Sequence, residues 1–101
     1  MRSVKVYIAG RVTGLPRQEA ARNFERGTRL LLNNTYNYLN PLDIVPETCD
    51  NKEAMRLLIP ELLKCDAILL LNDAKFSPGA HLEEQIARYC GLDLYYEDDL
   101  S

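Results

Sequence analysis

Two adjacent glutamates, Glu83 and Glu84, sit one turn into the segment SPGAHLEEQIARYCG, residues 77–91. A carboxylate in such a place can be a nucleophile or a general base, or it can be ordinary surface charge. Helix phase separates the two. At about 100° per residue, Ala80, Leu82, Ile86, Ala87, Tyr89 and Cys90 form one broad apolar arc. Glu83 falls inside that arc, whereas Glu84 lies outside it with His81, Gln85 and Arg88 and reads as solvated. An inward carboxylate needs a partner, because desolvating a charge is expensive. Two readings stay open. Either Glu83 pairs with helix N–H groups or an arginine and does no chemistry, or it points into a crevice and reacts.

The residues ahead of Glu83 bear on that choice. Ser77 and Pro78 start a helix, whose unpaired N–H groups near Ser77 to Ala80 form a seat for an anion. Gly79 permits close approach of a ligand. A second glycine-rich turn, AGRVTG at 9–14, brings Gly10, Arg11 and Thr13 toward the same region. It has neither the GxGxxG order of a dinucleotide site nor the lysine of a phosphate-cradling P-loop. His81 is the single histidine, which speaks against a metal site. Cys65 has no base beside it in sequence, which speaks against a thiol nucleophile. Asp43 and Glu47 read as solvated loop acids.

The elements that must position these groups alternate. VKVYIAG (4–10) is a β-rich run ended by glycine. A helix follows within 14–34, with Ala20, Phe24, Gly27 and Leu31 on one face and arginines on the other. Asn33 and Asn34 are expected to end it in the left-handed conformation. Residues 36–41 make a second strand. Asp50 and Glu53 resemble a capping box for a second helix, which Pro60 is expected to kink or restart. AILLLN (67–72) is a buried central strand, 78–90 the third helix stopped by Gly91, and 92–96 the fourth strand. This order predicts a three-layer α/β/α fold, a mostly parallel sheet of about four strands covered by helices on both faces. Ligands in such sheets bind beyond the carboxyl ends of the strands, here at the loops 9–15, 40–46 and 72–79.

The 101 residues, 47% apolar, suit one domain over 1–101. Residues 1–29 hold seven Arg or Lys against two acids, and the rest five against thirteen, with the run Glu97, Asp98, Asp99 near the end. That asymmetry favours an anionic small ligand near the N-terminal half, or contact between opposite halves of two subunits. No basic reading module for nucleic acid is present. Cys49, Cys65 and Cys90 are scattered and read as reduced thiols in a cytoplasmic protein, with Cys65 and Cys90 as small buried hydrophobes. No apolar run is long enough to cross a bilayer.

VYIAG…TG, the NP after the second strand, MR…LL.CDAILLL and S.GA..E…A…G together resemble small proteins related to nucleoside 2-deoxyribosyltransferases and nucleotide N-glycosidases, in particular a compact branch of that superfamily. The likeness covers nearly the whole chain in order. It implies that Glu83, four residues after Gly79, is the nucleophile that attacks the anomeric carbon of a (deoxy)ribosyl group. It implies further that Ser77 binds the sugar or its 5′-phosphate, that Tyr7 stands near the site, and that the turn at 9–14 closes on a nucleoside or nucleotide. Gly79, Ala80, Gly10, Arg11, Thr13, Phe76 and Arg56 complete the expected contacts, with no cofactor and no metal. A flavodoxin-like (Rossmann-like) parallel sheet of about four strands in the order 2-1-3-4, and a homo-oligomer, dimer or larger, are implied as well.

The chain departs from the pattern at three places. Leu58 stands where active relatives carry an aspartate, Arg11 where the compact branch has proline, and Asp73-Ala74-Lys75-Phe76 where it has a tryptophan-bearing loop. Asp73 follows a strand at the correct edge and is the candidate replacement acid. Phe76 or Tyr7 is the candidate stacking surface for a base, and Phe76 is equally a candidate lid over the core. Three readings follow: an enzyme acting on N-glycosidic bonds, a nucleotide-binding protein without turnover, or a homo-oligomer with a structural role.

Overall fold

The structure, a computed structural model, describes residues 4–101. Strand β1 (Lys5–Ala9) shows how the sequence builds three layers. Val6 and Ile8 point to one face of the sheet and Tyr7 and Ala9 to the other, and all four are buried. A strand covered on both faces belongs at the centre of a parallel sheet. It lies there, between β2 (Asn37–Leu39) and β3 (Ala67–Leu70), with β4 (Asp93–Tyr96) beyond. Every pair is parallel, as the alternation predicts, and the order β2-β1-β3-β4 is the flavodoxin-like one that the resemblance implies.

Parallel neighbours need crossovers, and the helices supply them. Helix α1 (Arg17–Asn33) covers the Val6 and Ile8 face through Phe24 and Leu31, which join one apolar cluster. Helices α2 (Asn51–Leu62) and α3 (Pro78–Tyr89) cover the other face, where Leu58, Leu62, Ala80 and Ala87 meet Tyr7, Ile68 and Leu70. Each large buried side chain contributes about 1.5–3 kcal/mol relative to exposure.

The expected inner face of α1, Ala20, Phe24, Gly27 and Leu31, is the buried one. Its end differs from expectation. Asn34 keeps φ −98°, and Thr35 takes the left-handed conformation at φ 65°. The amide N–H of Tyr36 returns to Leu31 C=O at 2.9 Å, so the position is dictated by the turn into β2, where a β-branched residue is tolerated at some strain. Helix α2 begins as read, with Asp50 accepting from the Glu53 N–H at 2.9 Å. Only half of the capping box forms, since the Glu53 carboxylate instead accepts from Cys49 Sγ at 3.7 Å. Pro60 does not restart the helix. It falls in the last turn, with the helix ending at Leu62, so few hydrogen bonds remain to lose.

Helix α3 is capped by Ser77, whose Oγ accepts from the Ala80 N–H at 3.1 Å, and Gly91 follows it at φ +81°. Its apolar arc is narrower than predicted. Ala80 and Ala87 are buried, but Leu82, Cys90 and Tyr89 are exposed, Tyr89 by 94%. A four-stranded sheet offers one narrow strip for α3, and the small alanines draw that strip in close, leaving the flanks of the arc uncovered.

The acidic run folds into a short helix, α4 (Glu97–Leu100), which the sequence reading missed. Glu97 is buried. It takes hydrogen bonds from Arg26 Nε and Nη2 on α1 and from the Asn72 N–H at the end of β3. The opposite charges of the two halves therefore meet within one chain. Tyr36 and Tyr95 stack on the same side at 5.3 Å between ring centroids. Among the described residues no helix is long and apolar enough to cross a membrane.

Candidate active site

Strand order reverses between β1 and β3, and the loops leaving their carboxyl ends part there. They flank a cleft of about 680 Å³, closed on the remaining sides by the first turns of α2 and α3. Gly10, Arg11 and Thr13 line it from the first loop, Arg56 and Leu58 from α2, and Phe76, Ser77, Gly79, Ala80 and Glu83 from the second loop and α3.

Glu83 is 5% exposed and forms part of the cleft wall. Its Oε2 accepts a hydrogen bond from the Tyr7 hydroxyl, which rises from the middle of β1. No cation joins this pair in the described structure. Burial drives the Glu83 carboxyl up to about 7, and the Tyr7 hydrogen bond pulls it back only in part. The phenol of Tyr7 is pushed far above its ordinary range by burial and then by the Glu83 charge, so it remains a donor. Near neutral pH Glu83 is thus divided between acid and carboxylate.

Tyr7 has no exposed surface, so it cannot be the face on which a base stacks. Its ring fills the core and only its hydroxyl serves the site. Phe76 is the opposite case: it is 64% exposed at the cleft mouth, with Lys75 Nζ 5.4 Å from the ring centroid. It leaves the cleft open.

Asp73 is not among the residues that line the cleft. Its Oδ1 accepts from the Arg11 N–H at 3.1 Å, and its Oδ2 from Asn23 Nδ2 at 3.5 Å. It therefore ties the first loop to α1 from behind. Gly10 is required by that closeness, since a β carbon there would lie 2.7 Å from Leu71 Cδ1. Gly14, at φ +87°, is required by the turn, and its missing side chain leaves the place that Arg11 Nη2 occupies. Gly79 is different. A β carbon would meet Met55 Sδ at 3.6 Å and Ser77 Oγ at 3.9 Å, ordinary contacts, so nothing in the protein itself demands glycine there.

A smaller hollow of about 340 Å³ adjoins the cleft and shares Val12, Thr13, Pro41, Asn51, Ala54 and Leu58 with it. The Thr13 hydroxyl donates to Asn51 Oδ1 at 2.9 Å along the shared rim. Lys52 and Asn51 also line the cleft, and the sequence reading passed over both. The signal was present: Lys52 and Arg56 are one turn apart at the start of a helix that begins at the functional edge.

Of the cysteines, Cys65 is buried with its thiol pushed up to about 11, chiefly by burial, and is no nucleophile. Among the described residues no three His, Cys, Asp or Glu side chains are grouped to hold a metal ion.

A doubly wound α/β protein with an open cleft at its switch point, walled by one buried carboxyl, is the class that this geometry defines. The chain belongs to the family described as a domain of unknown function, DUF4406, whose model matches residues 4–96. No curated protein matches the chain.

Proposed function

We propose that the cleft binds a nucleoside or nucleoside 5′-monophosphate and that Glu83 attacks the anomeric carbon, as the resemblance to deoxyribosyltransferases and N-glycosidases suggests. The observation that carries this reading is the buried Glu83 carboxyl in the cleft wall, held by a neutral phenol rather than a cation. One oxygen is fixed by Tyr7 and the other is left for attack. In the first step the Glu83–C1′ bond forms and the C1′–N bond breaks, with the electron pair and a proton from solvent leaving on the base. In the second step water or another base takes the sugar from the ester and restores the carboxylate. Only the ionised form attacks, so activity rises with pH through about 7.

A second reading, binding without turnover, draws support from Leu58. It lines the cleft as an apolar wall where the resembled enzymes place an aspartate, and Asp73 is engaged elsewhere. Residues that act as a unit lose far more than additively when one is missing.

The test is chromatographic detection of free base from nucleosides and 5′-monophosphates in deoxy and ribo forms, with Glu83→Gln as control. Base release abolished by the substitution supports the first reading. Absence of release from every substrate, with binding retained, supports the second.

A further inference from the structure

Among the described residues four cations form ion pairs with glutamates, while Arg22 and Lys75, away from the cleft lining, form none. Arg26, Arg29, Lys64 and Arg88 each pair with a glutamate, and Arg17 Nη2 donates to the Leu42 and Val45 carbonyls. Arg11, Lys52 and Arg56 behave differently. All three line the cleft, and none has a carboxylate partner among the described residues. Glu53 stands three residues before Arg56, a spacing that suits an ion pair, yet its carboxylate is with Cys49. Lys52 and Arg56 lie at i and i+4 on α2, where like charges repel. Arg11 lines the same cleft from the first loop, its Nε donating to Thr13 C=O at 3.2 Å and its Nη2 seated over Gly14. The loop's glycine makes room for that guanidinium. The only acid in the lining, Glu83, is drawn back into the wall by Tyr7. The Ser77 hydroxyl accepts from Ala80 N–H and still has its own proton to donate.

We propose that Arg11, Lys52 and Arg56 form a seat for a phosphoryl group, so that the ligand of this cleft is a nucleoside 5′-monophosphate rather than a free nucleoside. The identity of the nucleoside part rests on the function proposed above; the anion seat rests on the cations alone. Guanidinium groups meet phosphate oxygens through paired N–H donors, and the ammonium of Lys52 adds a point charge. A phosphate monoester brings close to two negative charges at pH 7, which relieves the repulsion between Lys52 and Arg56. The seat also explains Gly79, because a phosphoryl oxygen can approach the first turn of α3 where a side chain would stand.

Calorimetric titration tests this with four kinds of probe: nucleoside 5′-monophosphates, the matching nucleosides, ribose 5-phosphate, and ribonate as a carboxylate of similar size. The monophosphates bind at least about tenfold tighter than the nucleosides, since a hydrogen bond to a charged group is worth about 1.5–3 kcal/mol. Ribose 5-phosphate binds in preference to ribonate, and both phosphorylated probes weaken with added salt. Arg11→Gln and the double variant Lys52→Gln/Arg56→Gln reduce monophosphate affinity at least about tenfold more than nucleoside affinity, and Arg11→Lys restores part of the loss. Thermal unfolding confirms that the variants are folded. Equal affinity for nucleoside and monophosphate, equal binding of ribonate, or no binding of any phosphorylated probe overturns the proposal. Tight phosphate-dependent binding without base release sinks the enzyme reading and leaves the seat standing. Base release at equal rates from nucleosides and monophosphates does the reverse.

Discussion

Two glutamates are buried in this protein to almost the same degree, Glu83 at 5% and Glu97 at 4% exposure, and their surroundings could hardly differ more. Glu97 meets a guanidinium and a backbone N–H. Burial alone would raise its carboxyl, but the hydrogen bonds from Arg26 and Asn72 and the Arg26 charge outweigh that and bring it below the ordinary value. Glu83 meets one phenol and an open cleft, so burial prevails and its carboxyl rises to about 7. Similar exposure goes with a fixed anion on one face of the sheet and, deeper among protein atoms on the other, a group ready to gain or lose a proton. Depth and partner together decide which acid is structural.

The largest effect expected from breaking this contrast is at Glu97. Glu97→Ala leaves the Asn72 N–H and the Arg26 guanidinium without their acceptor and lowers stability by about 2–3 kcal/mol in denaturant titration. A loss below about 0.5 kcal/mol would mean that α4 contributes nothing by its ion pair. Glu83→Gln has the opposite sign. The Glu83 carboxyl is raised when folded, so its unfavourable charge is felt above about 7 and absent below the unfolded value of 4.5. Wild-type stability from this group falls as pH rises between those two values. The glutamine variant, which still accepts from Tyr7, should exceed wild type by on the order of 2 kcal/mol at pH 8, with the gain fading toward pH 5. A gain that is the same at both pH values would sink the assignment of the raised carboxyl to Glu83.

Tyr7→Phe sharpens the comparison by removing the one group that holds the Glu83 carboxyl down. Its titration, followed by carbon-detected NMR of the side-chain carboxyl, moves upward, and any pH midpoint of base release moves with it. A downward move would show that the phenol is not a donor to Glu83. The smallest effect belongs to Glu84→Gln. Glu84 pairs with Arg88 at 3.1 Å on the outer face of α3, and solvent screens such exposed pairs so that they contribute little. A change of several kcal/mol there would mean that neighbourhood in sequence, and not burial, governs these acids.

Glu83 was legible in the sequence because a twelve-residue helix has enough turns to fix its phase, and an acid on the apolar side stands out. Glu97 was not. Its helix has four residues, too few for a phase, and its partner Arg26 is 71 positions away. The same division runs through the molecule. Parallel pairing followed from alternating periods, since a parallel sheet requires crossovers. The exposure of Tyr89 and Cys90 did not follow, because the width of the apolar arc says nothing of how wide a sheet will meet it. Asp73 was placed at the correct edge, but only the fold reveals that Arg11 and Asn23 claim it. Arg11, read as an oddity in its loop, shares a cleft lining with Lys52 and Arg56 that only the fold reveals.

The central position of β1 has a consequence for synthesis. Strand β1 has its β2 partner at Asn37–Leu39, close behind it in the chain, yet its other edge waits for Ala67–Leu70. During that interval the growing chain carries an open edge along Val6–Ala9 and an α2 whose Leu58 and Leu62 lack most of their apolar neighbours. Open apolar edges invite pairing with other chains. The nascent chain is therefore exposed to aggregation between the synthesis of β2 and that of β3, and that exposure ends when β3 pairs with β1.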